Sequence, residues 1–330
     1  MGSRTRIRKA LALEPPDRPP VAWWGHTFRE EWSVEELAAV TLERARRYRW
    51  DYVKLQPRAS CFAEAFGSEY RPSGDPHVAP VLVRPAIREL DDWERLPSID
   101  AGVAPLADQV TALARVVGEL GDEIPVIQTV FSPLTVAGHL VGKDPARVVD
   151  ELHAHPEVLV PALERIAAAL SDFSQRSVTG GAAGLFYAIS GYAGSEAMSW
   201  PDYEKWVLAS DRLVVDTFPS AAWFNVLHLC GPGVHLELGD ALAPAAVSWS
   251  VHDPGNPTLV EGRDRLGRAA MGGFGHKGTL LRGTPDQVLE EASAAVAGSE
   301  NRGIILAPGC SVPPEAREEN LEAIASLTPN

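Results

Sequence analysis

The chain has 330 residues, 45% hydrophobic and 22% charged, which is ample apolar sequence for a full core. Its formal net charge of −14 and isoelectric point of about 5.1 argue against partners such as nucleic acid or an anionic membrane. No apolar run approaches the roughly 20 residues of a membrane span, and the basic start Met1-Gly-Ser-Arg4 leads into no hydrophobic export signal, so a cytoplasmic protein is expected.

Residues 1–20 are polar and proline-rich, ending Pro15-Pro16-Asp-Arg-Pro19-Pro20. Val21-Ala-Trp-Trp24-Gly25 then reads as a short strand, followed by His26. Ser33-Val-Glu-Glu36 is a capping box that opens a helix to about Tyr48. Asp51-Tyr-Val-Lys-Leu-Gln56 is the second strand. Residues 60–103 carry turn signals and short β-prone pieces, an excursion from the regular pattern. Helix is expected from Pro105 to about Leu120, strand over 124–131, then helices near 135–141 and from Pro156 to about Val178. A strand over 184–189 precedes a helix that starts at Ser199-Trp-Pro-Asp202 and runs to about Thr217. Strands are expected over 222–230, 246–253, 269–273 and 302–308. The helices between and after them cover 261–266, 285–297 and 315–327.

This count gives eight strands, nearly all separated by helices, and that alternation implies a parallel sheet. Eight β/α units imply a closed (β/α)8 TIM barrel. Residues 1–330 are therefore expected to form one barrel domain, with an N-terminal extension and the excursion at about 60–103.

In such barrels the chemistry sits where strands end and the following loops begin. Ala222-Trp-Phe-Asn-Val-Leu-His228-Leu-Cys230-Gly231 ends there, and side-chain alternation puts His228 and Cys230 on one face. Arg302-Gly-Ile-Ile-Leu-Ala-Pro-Gly-Cys310 ends likewise. All strand ends open on one side of a barrel, so His228, Cys230 and Cys310 are expected to converge on a metal. Thiolate and imidazole donors favour zinc, and three protein ligands leave the open position of a catalytic site. Cys61 is expected to be an ordinary thiol, and an odd count of three cysteines in an unexported chain speaks against a disulfide scaffold.

His252 and Asp253 follow another strand and are candidates for a catalytic base or transient ligand; Glu196 and Glu237 lie in neighbouring loops. His26, Gln56 and Arg58 fall at early strand ends and are candidates for binding a polar or anionic part of the substrate. Gly273-Phe-Gly275-His-Lys-Gly278 fits G-x-G-x-x-G but opens no helix, so it does not read as a dinucleotide site; His276 and Lys277 on it are candidates to hold an anion. His139, His153 and His155 lie on expected helices and read as solvent-facing.

Asp17-Arg-Pro-Pro-Val21, Asp51-Tyr-Val-Lys54, His228-Leu-Cys230-Gly231 and Ile304-Ile-Leu-Ala-Pro-Gly309 with Glu319-Asn320 together resemble the uroporphyrinogen decarboxylase superfamily over essentially the whole chain. Its true decarboxylases carry an Arg-Gln-Ala-Gly-Arg loop where this chain has Trp24-Gly-His-Thr-Phe-Arg29. They also carry an aspartate where this chain reads Gln56-Pro-Arg58. The His-x-Cys with a distant Cys resembles instead the zinc-dependent, cobalamin-linked thiol methyltransferase branch, of the methylcobalamin:coenzyme M type. That resemblance implies His228, Cys230 and Cys310 as zinc ligands, a small thiol as substrate and methylcobalamin or a separate corrinoid protein as methyl donor. The chain has no Asp-x-His-x-x-Gly cobalamin motif of its own. The alternatives are a decarboxylase or lyase of the same fold acting on a small carboxylate, and a non-catalytic zinc-binding protein.

Overall fold

The computed structural model describes residues 1–328, along which strands and helices alternate. In chain order the strands are β1 (Val53–Leu55), β2 (Glu69–Arg71), β3 (Val81–Arg84), β4 (Val126–Phe131) and β5 (Gly184–Ser190). They continue with β6 (Val226–Cys230), β7 (Ala246–Ser248), β8 (Ala269–Phe274) and β9 (Ile304–Pro308). Seven of them form one sheet in the order β1-β4-β5-β6-β7-β8-β9, with every neighbouring pair parallel. β2 and β3 form a separate antiparallel hairpin inside the 60–103 excursion.

The expected first strand shrinks to a single bridge, and that bridge closes the barrel. Val21 pairs parallel with Leu306 of β9, whose N–H donates to the Pro20 carbonyl. On its other side the Val21 carbonyl accepts from Asp51 N–H, just before β1. Prolines at 19 and 20 offer no N–H to a ladder, which limits this segment to irregular pairing. Asp51 is 1% exposed and completes the closure: its carboxylate accepts from Val21 N–H at 2.8 Å, Arg6 at 2.6 Å, Arg18 at 2.6 Å and Ser3 at 2.9 Å. A buried carboxylate is tolerated only with such partners. They tie the N-terminal helix Ser3–Leu11 across the bottom of the barrel.

The seven strands of the parallel sheet are buried on both faces, as parallel sheets covered by helices must be. Every residue of β4 and β5 except the last is buried. Helix starts follow local chemistry. Ser132, Asp144, Ser199, Thr258 and Thr284 each accept a backbone N–H of the first turn, with proline just inside the helix after four of them.

Several boundaries differ from expectation. Helix Pro145–Ala154 lies between the two expected helices, capped by Asp144. The helix after Ser199 breaks at Val207 into Trp200–Trp206 and Leu208–Val215. β6 starts only at Val226, because the Asn225 side chain takes over the ladder by accepting Leu185 N–H at 3.0 Å. β7 ends at Ser248, since Asp253 N–H turns back to the Ser250 carbonyl. The last helix begins at Glu318. Among the described residues, no helix is long and apolar enough to cross a membrane.

Candidate metal centre and its cavity

β6 delivers two ligands from one face at its carboxyl end. His228 is 2% exposed and stacks on Phe186 of β5, with ring centroids 5.1 Å apart. Its Nδ1 lies 3.2 Å from Ser248 Oγ at the end of β7, while its Nε2 is buried without a hydrogen-bond partner. Cys310 comes from the loop after β9, and its Sγ lies 3.7 Å from Cys230 Sγ. The donor atoms of His228, Cys230 and Cys310 all lie within 4.8 Å of one another.

These distances fit a shared metal. A disulfide needs sulfurs about 2.05 Å apart, and both cysteines are free thiols. Two bonds of about 2.3 Å at a tetrahedral angle instead place sulfurs about 3.8 Å apart. The unpartnered Nε2 supplies a third donor in the same space, and an imidazole whose Nδ1 donates to a neighbour is the usual form of a histidine ligand. Cys310 is pulled well below its ordinary value, first by the hydrogen bond from the Cys230 thiol and next by His228. Cys230 is pushed up, first by its hydrogen bond with Cys310 and next by burial.

Backbone packing sets this spacing. The loop after β7 sits between the two cysteine loops. Asn256 donates to the carbonyls of Gly231 at 3.0 Å and Ser250 at 2.9 Å, and accepts from Val234 N–H at 3.0 Å. Gly231 directly follows Cys230 and has φ of 120°, a conformation that favours glycine. On the other side Gly309, directly before Cys310, packs on Ser250 so tightly that an added Cβ would lie 2.6 Å from its Cβ.

The cluster opens into a cavity of about 210 Å³ walled by Trp24, Phe131, Phe186 and Ala188, with His26, Lys54, Gln56, His139 and Lys143 on its surface. His228 and Cys310 form part of its lining. A larger cleft of about 340 Å³ lies at the opposite ends of the strands, around Asn225, Phe218 and Pro244, and holds none of the cluster.

His26 and Gln56 both reach the cavity, joined in a chain. Glu31 Oε1 is 2.8 Å from His26 Nδ1, and His26 Nε2 is 2.9 Å from Gln56 Nε2. Gln56 Oε1 accepts from the Lys54 ammonium. Lysine can only donate, so the amide nitrogen faces His26, and His26 carries its proton on Nδ1 toward Glu31. Lys54 is 5% exposed, and burial pushes it down to about 7 despite the opposing charges of Cys310 and Glu31.

Other expected site residues are placed differently. Arg58 does not line the cavity: it pairs with Glu64 through Nε at 3.0 Å and Nη2 at 2.9 Å, and lies over the Trp32 ring. His252 points outward, its Nε2 2.9 Å from the Gly273 carbonyl and 3.5 Å from Glu291, in a separate pocket with Leu259 and Ala295. The early end of β7 causes this, because strand alternation stops before His252. Asp253 and His276 remain beside the cluster: Asp253 raises Cys230 by its charge, and His276, buried and lowered by desolvation, senses Cys310 and His228. His139 departs from the solvent-facing expectation, lining the cavity edge-on to Phe131 with Nδ1 unpartnered. His153 and His155 are half-exposed, and Cys61 is buried with its thiol driven far up by desolvation.

Residues 3–328 match the family model described as uroporphyrinogen decarboxylase (URO-D). The chain belongs to the uroporphyrinogen decarboxylase family. Within reach of this URO-D member is the methylcobamide:CoM methyltransferase MtbA of Methanosarcina acetivorans. It is 21% identical over 343 residues that cover 99% of this chain and 97% of that protein. The uroporphyrinogen decarboxylase of Mycolicibacterium smegmatis is 32% identical over 67% of this chain and 64% of its own length. Among solved structures, a methyltransferase from Methanosarcina mazei has a TM-score of 0.82 over 99% of this chain and 98% of that chain, at 21% identity. That likeness shows the URO-D barrel fold.

Lys54 and the Asn256–Ser250 clamp were not singled out as functional from sequence. A lysine inside Val53–Leu55, a strand buried at all three positions, was the available signal for the first. Asn256 bonds backbone groups remote in sequence and left no signal.

Proposed function

We propose that this chain transfers a methyl group from a methylated corrinoid to a small thiol, with zinc held by His228, Cys230 and Cys310. The observation that carries the reading is the convergence of two sulfurs 3.7 Å apart and an orphaned imidazole nitrogen, with His228 and Cys310 lining one cavity. Relatives named as methylcobamide:CoM methyltransferases, matched over nearly the full length of both chains, support it. Zinc bound to this soft donor set supplies a thiolate at neutral pH from a thiol whose free pKa is near 8.5.

The protein's own groups do the positioning. Ser248 accepts the Nδ1 proton of His228 and turns Nε2 toward the cysteines, while Phe186 fixes the ring plane. Asn256 and Ser250 hold the two cysteine loops at a fixed separation. Trp24, Phe131 and Phe186 restrict water around the sulfur, which preserves its nucleophilicity. In the net reaction the thiol loses its proton, gains the methyl group and leaves as a thioether; the corrinoid keeps the electron pair of the broken cobalt–carbon bond. The donor is free methylcobamide or a corrinoid protein docked at the barrel mouth.

Methylcobalamin incubated with zinc-loaded protein and a thiol panel tests this reading, followed by loss of the methylcobalamin absorbance. Zinc-dependent demethylation with thioether formation supports it. No turnover with any thiol, together with loss of carbon dioxide from a small carboxylate, would favour the lyase alternative.

A further inference from the structure

Cys230 and Cys310 are a thiol pair as well as a pair of metal ligands. Their sulfurs lie 3.7 Å apart on loops after two different strands, and both thiols are free. Both residues are half-buried, and Cys310 lines the cavity of about 210 Å³. Hydrogen peroxide is little larger than water, whose share of liquid volume is about 30 Å³, so the cavity admits it. Cys61 is the one other cysteine of the chain. It is fully buried at the start of helix Cys61–Ala65, and it competes with the pair for neither an oxidant nor a partner.

Metal ligation and a disulfide draw the sulfurs to different spacings, about 3.8 Å against about 2.05 Å. Closure from 3.7 Å is a movement of about 1.7 Å shared between two side chains. Asn256 and Ser250 hold the two loop backbones, so the movement falls to the side chains. The two states exclude each other chemically as well. A disulfide carries no thiolate charge, which leaves His228 as the remaining strong donor of the cluster. One imidazole does not hold an ion that takes three or four protein ligands.

We propose that Cys230 and Cys310 are a redox pair: a hydroperoxide links them in a disulfide that excludes the metal, and a small dithiol restores both ligands. Cys310, on the cavity wall, attacks one peroxide oxygen as its thiolate. The O–O bond breaks, leaving a sulfenic acid on Cys310 and releasing hydroxide, which takes up the thiol's proton as water. The Cys230 sulfur then attacks the Cys310 sulfur, and the S–O bond breaks. The departing hydroxide leaves as water with the Cys230 proton. Two thiols and one hydrogen peroxide thus give one disulfide and two waters, with the sulfurs oxidised and the peroxide reduced. A bound metal engages both sulfurs and protects them. The inference rests on the zinc-binding part of the reading above and is independent of methyl transfer.

The test compares zinc-loaded wild type with wild type stripped by a chelator, each treated with hydrogen peroxide and quenched in denaturant with an alkylating agent. Intact mass and peptide mapping locate the sulfurs, and elemental analysis follows the zinc. Stripped protein should lose two alkylation sites, stay monomeric by mass and yield a Cys230–Cys310 cross-linked peptide with Cys61 alkylated. Zinc-loaded protein should cross-link at least about tenfold more slowly, because the metal engages the attacking thiolate, and should release its zinc as the disulfide forms. Dithiothreitol should restore both alkylation sites and zinc uptake. In Cys230→Ser the intermediate has no partner, so dimedone should capture a sulfenic acid on Cys310. No capture there, under conditions that cross-link wild type, overturns the route through Cys310. Stripped wild type whose two thiols stay alkylatable, or pass to sulfinic acids without a cross-link, overturns the proposal. Cross-linked protein that keeps its zinc overturns it too. These decisive readouts are taken on wild type and do not depend on a variant folding. Reduced protein that takes up no zinc yet forms the cross-link refutes the zinc reading instead and supports the thiol pair.

Discussion

Cys230 and Cys310 approach to 3.7 Å between sulfurs without forming a bond, although they come from loops after two different strands. Neither loop is free to set that spacing alone. Gly231 after Cys230 is hydrogen-bonded to Asn256, and Gly309 before Cys310 rests on Ser250, which Asn256 also bonds. The sulfur pair is therefore a product of three loops packed together.

Removing one ligand should empty the site and spare the fold. Cys310→Ser and His228→Ala are expected to lose most bound zinc by elemental analysis, with far-UV circular dichroism unchanged. The barrel has a continuous apolar core of its own, to which these side chains contribute little. Unfolding of either variant on chelation of wild type as well would indicate a structural zinc.

Asn256→Ala should weaken zinc binding about 10- to 100-fold, as loss of a group supporting metal ligands does. Chelator competition measures it. An unchanged affinity would mean the loops hold their spacing without the clamp.

Arg58 is expected to matter for stability more than for substrate. It is almost fully buried, paired twice with Glu64, and its backbone N–H donates to Gln109. Arg58→Ala leaves the partly buried Glu64 with the Ser60 hydroxyl as its remaining recorded partner and should cost about 1–3 kcal/mol in urea unfolding, with KM for the thiol changing less than about twofold. A large KM rise at unchanged stability would return Arg58 to the substrate.

Asp211 predicts a pH effect on stability remote from the cavity. It is fully buried, accepts from Tyr187 and Tyr203 at 2.6 Å each, and desolvation pushes it from 3.8 up to about 7. Between those values the folded protein binds the proton that the unfolded chain has released, so unfolding free energy falls as pH rises from 3.8 to about 7 and levels off above. Asp211→Asn should flatten that slope in urea titrations at several pH values. A slope equal to wild type would show that other groups produce it.

Much of the barrel was readable because caps and prolines mark where helices start, as at Ser33 and at Ser199-Trp200-Pro201. The same signal, Asp144-Pro145, announces the helix that the reading passed over. The cluster was readable because His228 and Cys230 are two apart on a strand and Cys310 follows another strand end. His252 was misplaced because alternation was extended past Ser248, where a hydrogen-bonded turn ends the strand. Arg58 looked available only because Glu64, a turn later on helix Cys61–Ala65, was not recognised as its partner.

X-ray absorption at the zinc edge tests the central claim most directly. The resting protein should show two sulfurs at about 2.3 Å with nitrogen or oxygen completing the shell. Adding a thiol that the protein methylates should raise the count to three sulfurs. A sulfur count unchanged by that thiol would contradict the account, because the substrate would then be activated somewhere other than at His228, Cys230 and Cys310.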